Sequence, residues 1–197
     1  CNNALERHPE DRLPMIGLAI MSLHHWKFEQ AIAQYREVLT QSGAPVEATI
    51  GLMQAHLGLN QVDAARELLE GLPESAWNHP DVWLVAGDVA SEAGDSSGAI
   101  RCYGEALTRY PDHVEALRRI LPALTEMEKH DAASRIEQRL QLCNTIHGNA
   151  YISERVDDPQ KRYLEMADNL RRLGRNVEAN EWEKLASGSF VKANHAQ

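Results

Sequence analysis

The sequence predicts an all-α fold made of stacked antiparallel helix pairs, and three observations support this prediction. Ala, Leu and Glu are common, which favours helix, and no run of alternating β-branched residues predicts a strand. An alanine recurs every 34 residues, at Ala31, Ala65, Ala99 and Ala133. A unit of this length holds two short helices and two turns. Turn-forming stretches such as GDSSG, residues 94–98, separate the apolar patterns.

The stretch 80–113 shows one complete unit. Val82, Val85 and Val89 recur near helical spacing in its first half. Gly94 then suits the end of this helix, and Asp95, Ser96 or Ser97 suits the start of the next. Small residues at the predicted crossing of the two helices are expected to let them approach closely. These small residues are Gly87 and Ala99.

This unit resembles the tetratricopeptide repeat (TPR) family. Matching residues stand at the family's spacing: Trp83, Gly87, Ala99, Tyr103, Ala106 and Pro111. The unit departs from the family at Ala86 and Ala90, where the family has larger side chains. The resemblance covers about 12–147 and 160–187. It implies a right-handed superhelix of helix pairs, an α-solenoid, in which the first helices of successive units line a groove that binds partner segments.

The 34-residue period divides the chain into repeats and connecting segments. Ala179 follows Ala133 after 46 residues, which is one period plus 12, so a spacer is expected at 148–159. The predicted repeats are 12–45, 46–79, 80–113, 114–147 and 160–187, and 188–197 is a tail. Residues 1–11 are expected to end a preceding, truncated repeat. Uncapped repeats at both ends would permit self-association.

Two repeats carry helix-breaking residues whose effects can be predicted. Gly71 and Pro73 should shorten the second helix of 46–79. The following stretch ESAWN is expected to form a turn, with Trp77 packed against a neighbour. Pro122 falls inside the first helix of 114–147, where it should kink the helix.

Composition argues against several classes of function. The net charge of −9 disfavours nucleic acid as a partner, and no apolar run reaches the ~20 residues of a membrane-spanning helix. The three cysteines, at 1, 102 and 143, form neither a disulfide framework nor a zinc motif. We find no motif for catalysis, a cofactor or a metal. Localisation is undetermined: the chain is expected to be soluble, cytoplasmic or exported, and Cys1 also fits the lipidated first residue of a bacterial lipoprotein.

The predicted function is a scaffold or adaptor that binds a protein or peptide in the groove and is not an enzyme. The alternative is a regulatory or substrate-recruiting region of a larger enzyme. The candidate binding residues lie on the predicted first helices of the repeats. They are Ile16, Ile20, Ile50, Gln54, Leu84, Asp88, Arg118, Arg119, Arg171 and Arg172.

Two features of these candidates bear on the kind of partner. Ile16 and Ile20 stand where some TPR domains have the Lys and Asn of a clamp for C-terminal carboxylates, so a ligand of that kind is not expected. Both could instead pack against a preceding helix. The four arginines could form a basic patch for acidic groups, or each could pair with a nearby carboxylate such as Glu115 or Asp168.

Overall fold

The computed structural model describes residues 12–41, 43–151 and 159–187. These residues form ten α-helices and no strand, which confirms the all-α prediction. The helices are α1 (Arg12–His24), α2 (Phe28–Leu39), α3 (Val46–Gly58), α4 (Val62–Glu70), α5 (Pro80–Glu92), α6 (Ser96–Arg109), α7 (Val114–Glu126), α8 (His130–Tyr151), α9 (Pro159–Arg172) and α10 (Asn176–Ala186). A short 3-10 helix, Glu74–Asn78, lies between α4 and α5.

The chain divides into two compact units, one that ends at Met127 and one that begins at Glu128. In the first unit, α1–α2, α3–α4 and α5–α6 pack as consecutive pairs, and α7 follows on α6. The first helix of each pair also contacts the first helix of the next, from α1 through α3 and α5 to α7. These four helices therefore form one continuous face of the first unit.

Glycines at two helix crossings allow this close packing. A Cβ atom on Gly87 would lie 2.3 Å from the ring of Tyr103, and one on Gly51 would lie 2.2 Å from the ring of Tyr35. Both tyrosines are almost fully buried. The predicted role of Gly87 as a small residue at a crossing is confirmed, because no larger side chain would leave room for the Tyr103 ring.

The turns inside the repeats share one geometry and follow the same 34-residue period. The second residue after the helix end has a positive φ at Trp26 (60°), Asn60 (57°), Gly94 (78°) and Glu128 (56°). At Gly94, the prediction of a helix end is confirmed. The side chain of Asp95 then caps α6 by accepting a hydrogen bond of 2.8 Å from the backbone N–H of Gly98.

The predictions for Gly71, Pro73 and Trp77 are confirmed, and the kink predicted at Pro122 stays a prediction. Helix α4 ends at Glu70 after nine residues, and Trp77 of the 3-10 helix packs against Trp83 with ring centroids 4.6 Å apart. Helix α7 continues through Pro122 to Glu126.

The connections between repeats are described only in part. Helix α8 extends to Tyr151, into the predicted spacer 148–159. The rest of that spacer up to residue 158, the predicted end of a preceding repeat at 1–11 with Cys1, and the tail 188–197 lie outside the described residues.

The second unit has its own small core. Helices α9 and α10 form a pair, and α8 packs against α9. The core of this unit contains Met166, Ala167, Leu170 and Ala179, with Trp182 packed against it.

Candidate partner-binding cleft

An open cleft of about 490 Å³ lies on the continuous face of the first unit. Its walls come from the end of α1 and the turn after it, the start of α2, and parts of α3, α5 and α7. Apolar side chains line one end of the cleft, and mostly acidic side chains line the other end. We call them the aromatic end and the acidic end.

The aromatic end is formed by Leu23, Trp26, Phe28 and Leu57. The Phe28 ring packs closely against α3 because Gly58 has no side chain: a Cβ on Gly58 would be 2.4 Å from this ring. Trp26 meets Phe28 edge to face, with ring centroids 5.8 Å apart.

Trp26 combines high exposure with an unusual backbone. Its side chain is 80% exposed, and its φ of 60° lies in the left-handed region, where a bulky residue is an outlier. Local hydrogen bonds fix this turn, because the N–H of Lys27 donates to the carbonyl of Ser22 at 2.9 Å.

The acidic end is formed by Asp88 and Glu92 on α5 with Glu115 and Arg119 on α7. Asp88 is its deepest residue, with 12% of the side chain exposed. It accepts a hydrogen bond of 2.8 Å from the Tyr103 hydroxyl, and a guanidinium nitrogen of Arg119 lies 3.7 Å away. Burial raises the pKa of the Asp88 carboxyl above its ordinary value, although Arg119 and Tyr103 partly oppose this effect.

Four of the predicted binding residues line the cleft: Gln54, Leu84, Asp88 and Arg119. Ile50 is buried in the core beside Met53, and Ile16 is half-buried against the core between α1 and α2. Ile20 is 42% exposed on α1 but does not line the cleft. Among the predicted apolar positions, Leu84 thus contacts the cleft.

Three of the four predicted arginines have a carboxylate partner in their own unit. Arg118 pairs with Glu115 at 2.5 Å, and Arg119 faces Asp88 as described above. In the second unit, Arg171 pairs with Glu183 at 2.5 Å, while Arg172 is exposed. The contacts of Arg118, Arg119 and Arg171 are those that the ion-pair interpretation predicts. A single basic patch formed by all four arginines stays a prediction.

Sequence reasoning missed Trp26, Phe28 and Glu92. For Trp26 a signal was present. It stands 34 residues before Asn60 and 68 before Gly94, so alignment of the turns would have placed a tryptophan where Asn and Gly are ordinary.

The cleft offers both apolar and charged contacts. Within the part of the chain that the structure describes, no three His, Cys, Asp or Glu side chains converge as a metal site would require. Over the same residues, no helix is both long and apolar enough to cross a bilayer. What the arrangement can do is hold another surface that presents complementary side chains.

Fold and cleft together define a helical-repeat protein of the α-solenoid class. Two family models, both described as tetratricopeptide repeat, match residues 26–87 and 84–137. Over residues 26–137 the chain therefore belongs to the tetratricopeptide repeat family, as its resemblance implied. No curated protein matches the sequence.

Solved structures of similar fold extend over nearly the whole chain. The crystal structure of the MamA protein is 15% identical and covers 94% of this chain and 95% of its own, with a TM-score of 0.53. A chain of the APC/C hetero-tetramer Cut9–Hcn1, also 15% identical, covers 95% of this chain and 36% of its own, with a TM-score of 0.63. At this identity the likeness shows the fold.

Proposed function

We propose that this chain is a protein-interaction module, a scaffold or adaptor, that binds a segment of a partner protein in the cleft of its first unit. The observation that carries the proposal is the exposed aromatic end next to charged groups on the face shared by α1, α3, α5 and α7. TPR proteins use this kind of face for protein and peptide partners, and the family membership supports the same use here.

The size and lining of the cleft support a segment rather than a folded domain as the ligand. A volume of about 490 Å³ accommodates a few side chains. Tryptophan and arginine, both present here as Trp26 and Arg119, are among the residues that most often dominate binding energy at interfaces. Apolar area removed from water at Trp26 would contribute about 25 cal/mol per Å².

The test is site-specific photo-crosslinking in cells that make the protein. A photoreactive phenylalanine analogue at Leu57, inside the cleft, should give an adduct that mass spectrometry maps to one contiguous segment of one partner. The matched control is the same analogue at Glu37, an exposed α2 residue outside the cleft, which should give no such adduct. Equal adducts from both positions, or adducts from Glu37 alone, would contradict the proposal.

A further inference from the structure

We infer that the segment bound in this cleft is both apolar and cationic: a bulky apolar side chain contacts the aromatic end, and a Lys or Arg side chain contacts the acidic end. This inference rests on the proposed function and adds the chemistry of the partner. It combines two independent observations, the backbone of Trp26 and the charge of the cleft.

The first observation is that Trp26 has a left-handed backbone conformation, which does not favour a tryptophan. In the turns one, two and three periods later, the left-handed residue is Asn60, Gly94 and then Glu128. The first two adopt this conformation easily, and none of the three is aromatic. A tryptophan there is strained and, at 80% exposure, gains little from burial. Such strain at a cleft is typical of a residue held for binding.

The contacts of Trp26 indicate what it binds. Its ring is braced edge to face by Phe28, and Phe28 is in turn seated on Gly58. The two rings, with Leu23 and Leu57, form an apolar surface that remains open to solvent at the cleft. A bulky aliphatic or aromatic side chain is the group that this surface would remove from water.

The second observation is that carboxylates outnumber guanidinium groups at the other end of the cleft. Asp88, Glu92 and Glu115 line the cleft. Arg119 faces Asp88 and Arg118 pairs with Glu115, so Glu92 is the carboxylate of this end that has no ion pair among the described residues. Asp88 is largely buried there, and a buried carboxylate is costly unless it is compensated. A cation from a partner would add to the compensation that Asp88 already receives from the Tyr103 hydroxyl and from Arg119, 3.7 Å away.

Charge also acts at longer range. The net charge of −9 would draw a cationic segment toward the protein and repel an acidic one. An apolar segment without a cation would take the carboxylates of the acidic end out of water and add no positive charge, so both properties are needed for tight binding.

The experiment starts with selection from a phage library of random peptides of about twelve residues against the wild-type protein. Enriched peptides should carry a Lys or Arg together with Trp, Phe, Leu or Ile, and they should be depleted in Asp and Glu. One enriched peptide is then synthesised and its dissociation constant measured by fluorescence anisotropy.

Two variants with matched controls test the two ends of the cleft separately. Trp26→Gly should weaken binding of this peptide about tenfold or more, while Asn60→Gly, the same change one repeat later, should leave it unchanged. Glu92→Gln should weaken binding about threefold to tenfold, with the loss reduced at high salt. Glu37→Gln, which removes a carboxylate of α2 outside the cleft, should have no effect.

The outcomes separate this inference from the proposed function. The cationic partner would be overturned, and the cleft kept as the binding site, by peptides that lose binding to Trp26→Gly and meet one further condition. That condition is that they are acidic, or that they bind Glu92→Gln as tightly as wild type. Peptides that bind wild type, Trp26→Gly and Glu92→Gln equally would overturn both. Failure to enrich any peptide would count against both as well.

Discussion

The third helix pair, α5–α6, and the first, α1–α2, have the same architecture, but their tryptophans lie in different environments. Trp83 of α5 packs on Trp77 and donates a 2.7 Å hydrogen bond from its indole N–H to the carbonyl of Trp77. The guanidinium of Arg109 lies 4.8 Å from its ring centroid. Trp26, in contrast, is exposed at the turn.

The difference teaches which departures from a repeat pattern are informative. In α5–α6 residues that match the family pattern contribute to packing, since Gly87, Ala99 and Tyr103 are buried where the two helices cross. In α1–α2 a residue that departs from the ordinary turn lies at the cleft. Here the pattern residues maintain the fold, and the exposed exception lies at the proposed binding surface.

The largest expected effect is at the helix crossing of α5–α6. In Gly87→Ala the added methyl group would lie 2.3 Å from the Tyr103 ring. The ring must then move, which disturbs its hydrogen bond to Asp88. We expect a loss of about 2 kcal/mol of unfolding free energy in urea titrations.

Gly104→Ala is the matched control, because Gly104 lies in the partner helix α6 and has no atom within 4 Å of the added methyl group. This variant should gain about 0.5–1 kcal/mol from the higher helix propensity of alanine. Similar changes in the two variants would mean that the crossing is not tightly packed, and the contrast between packed and exposed pattern positions would fail.

An intermediate effect is expected where two repeats join. His113 caps α7 by accepting a hydrogen bond from the N–H of Ala116, and its other ring nitrogen lies 2.6 Å from Asp81 of α5. The hydrogen bond with His113 lowers the pKa of the Asp81 carboxyl, although burial opposes this. Asp81→Ala should cost about 1 kcal/mol near neutral pH, a value reduced for solvent screening because 39% of the side chain is exposed.

The pH dependence follows from the sign of this shift. Because the pKa of Asp81 is lower in the folded state, its contribution is fully present above the ordinary value of 3.8 and is lost as the pH falls through the lowered pKa. The stability difference between wild type and Asp81→Ala should therefore shrink in acid. Asp63→Ala is the control: Asp63 is also the second residue of its helix but is 91% exposed. A difference between wild type and Asp81→Ala that stays constant with pH would contradict this assignment.

Much of the fold could be predicted from sequence because repeats impose the same local requirements several times. The 34-residue alanine spacing, the helix end at Gly94 and the early end of α4 before Gly71 and Pro73 each follow from backbone properties that a residue carries with it. The length of α8, which reaches Tyr151, could not be predicted in this way. Gly148 stands at the expected boundary, but a glycine inside a helix costs only about 1 kcal/mol and does not by itself fix a helix end.

The cleft could be predicted only in part. The position of a residue within the repeat predicts the helix face on which it lies but not how deeply it is buried there. Gln54, Leu84, Asp88 and Arg119 follow the face and line the cleft. Ile50 shares that face but is buried, because the next pair packs over it. The two aromatic rings of the cleft, Trp26 and Phe28, come from a turn and from the start of a second helix, which a projection restricted to first helices omits.

The smallest expected change is also the one that tests the contrast most directly. Trp26→Gly removes a bulky side chain from a left-handed backbone, where an L-residue costs roughly 1–2 kcal/mol, and it forfeits an edge-to-face contact with Phe28 of roughly 0.5–1.5 kcal/mol. Since Trp26 is 80% exposed, little other packing is lost. The net result should be a gain of about 0.5 kcal/mol in unfolding free energy, measured as a higher urea midpoint with an unchanged slope. Asn60→Gly should change stability less, because asparagine already tolerates this conformation. A loss of stability in Trp26→Gly would mean that this tryptophan serves the fold, as Trp83 does, and the argument that it is retained for binding would no longer stand.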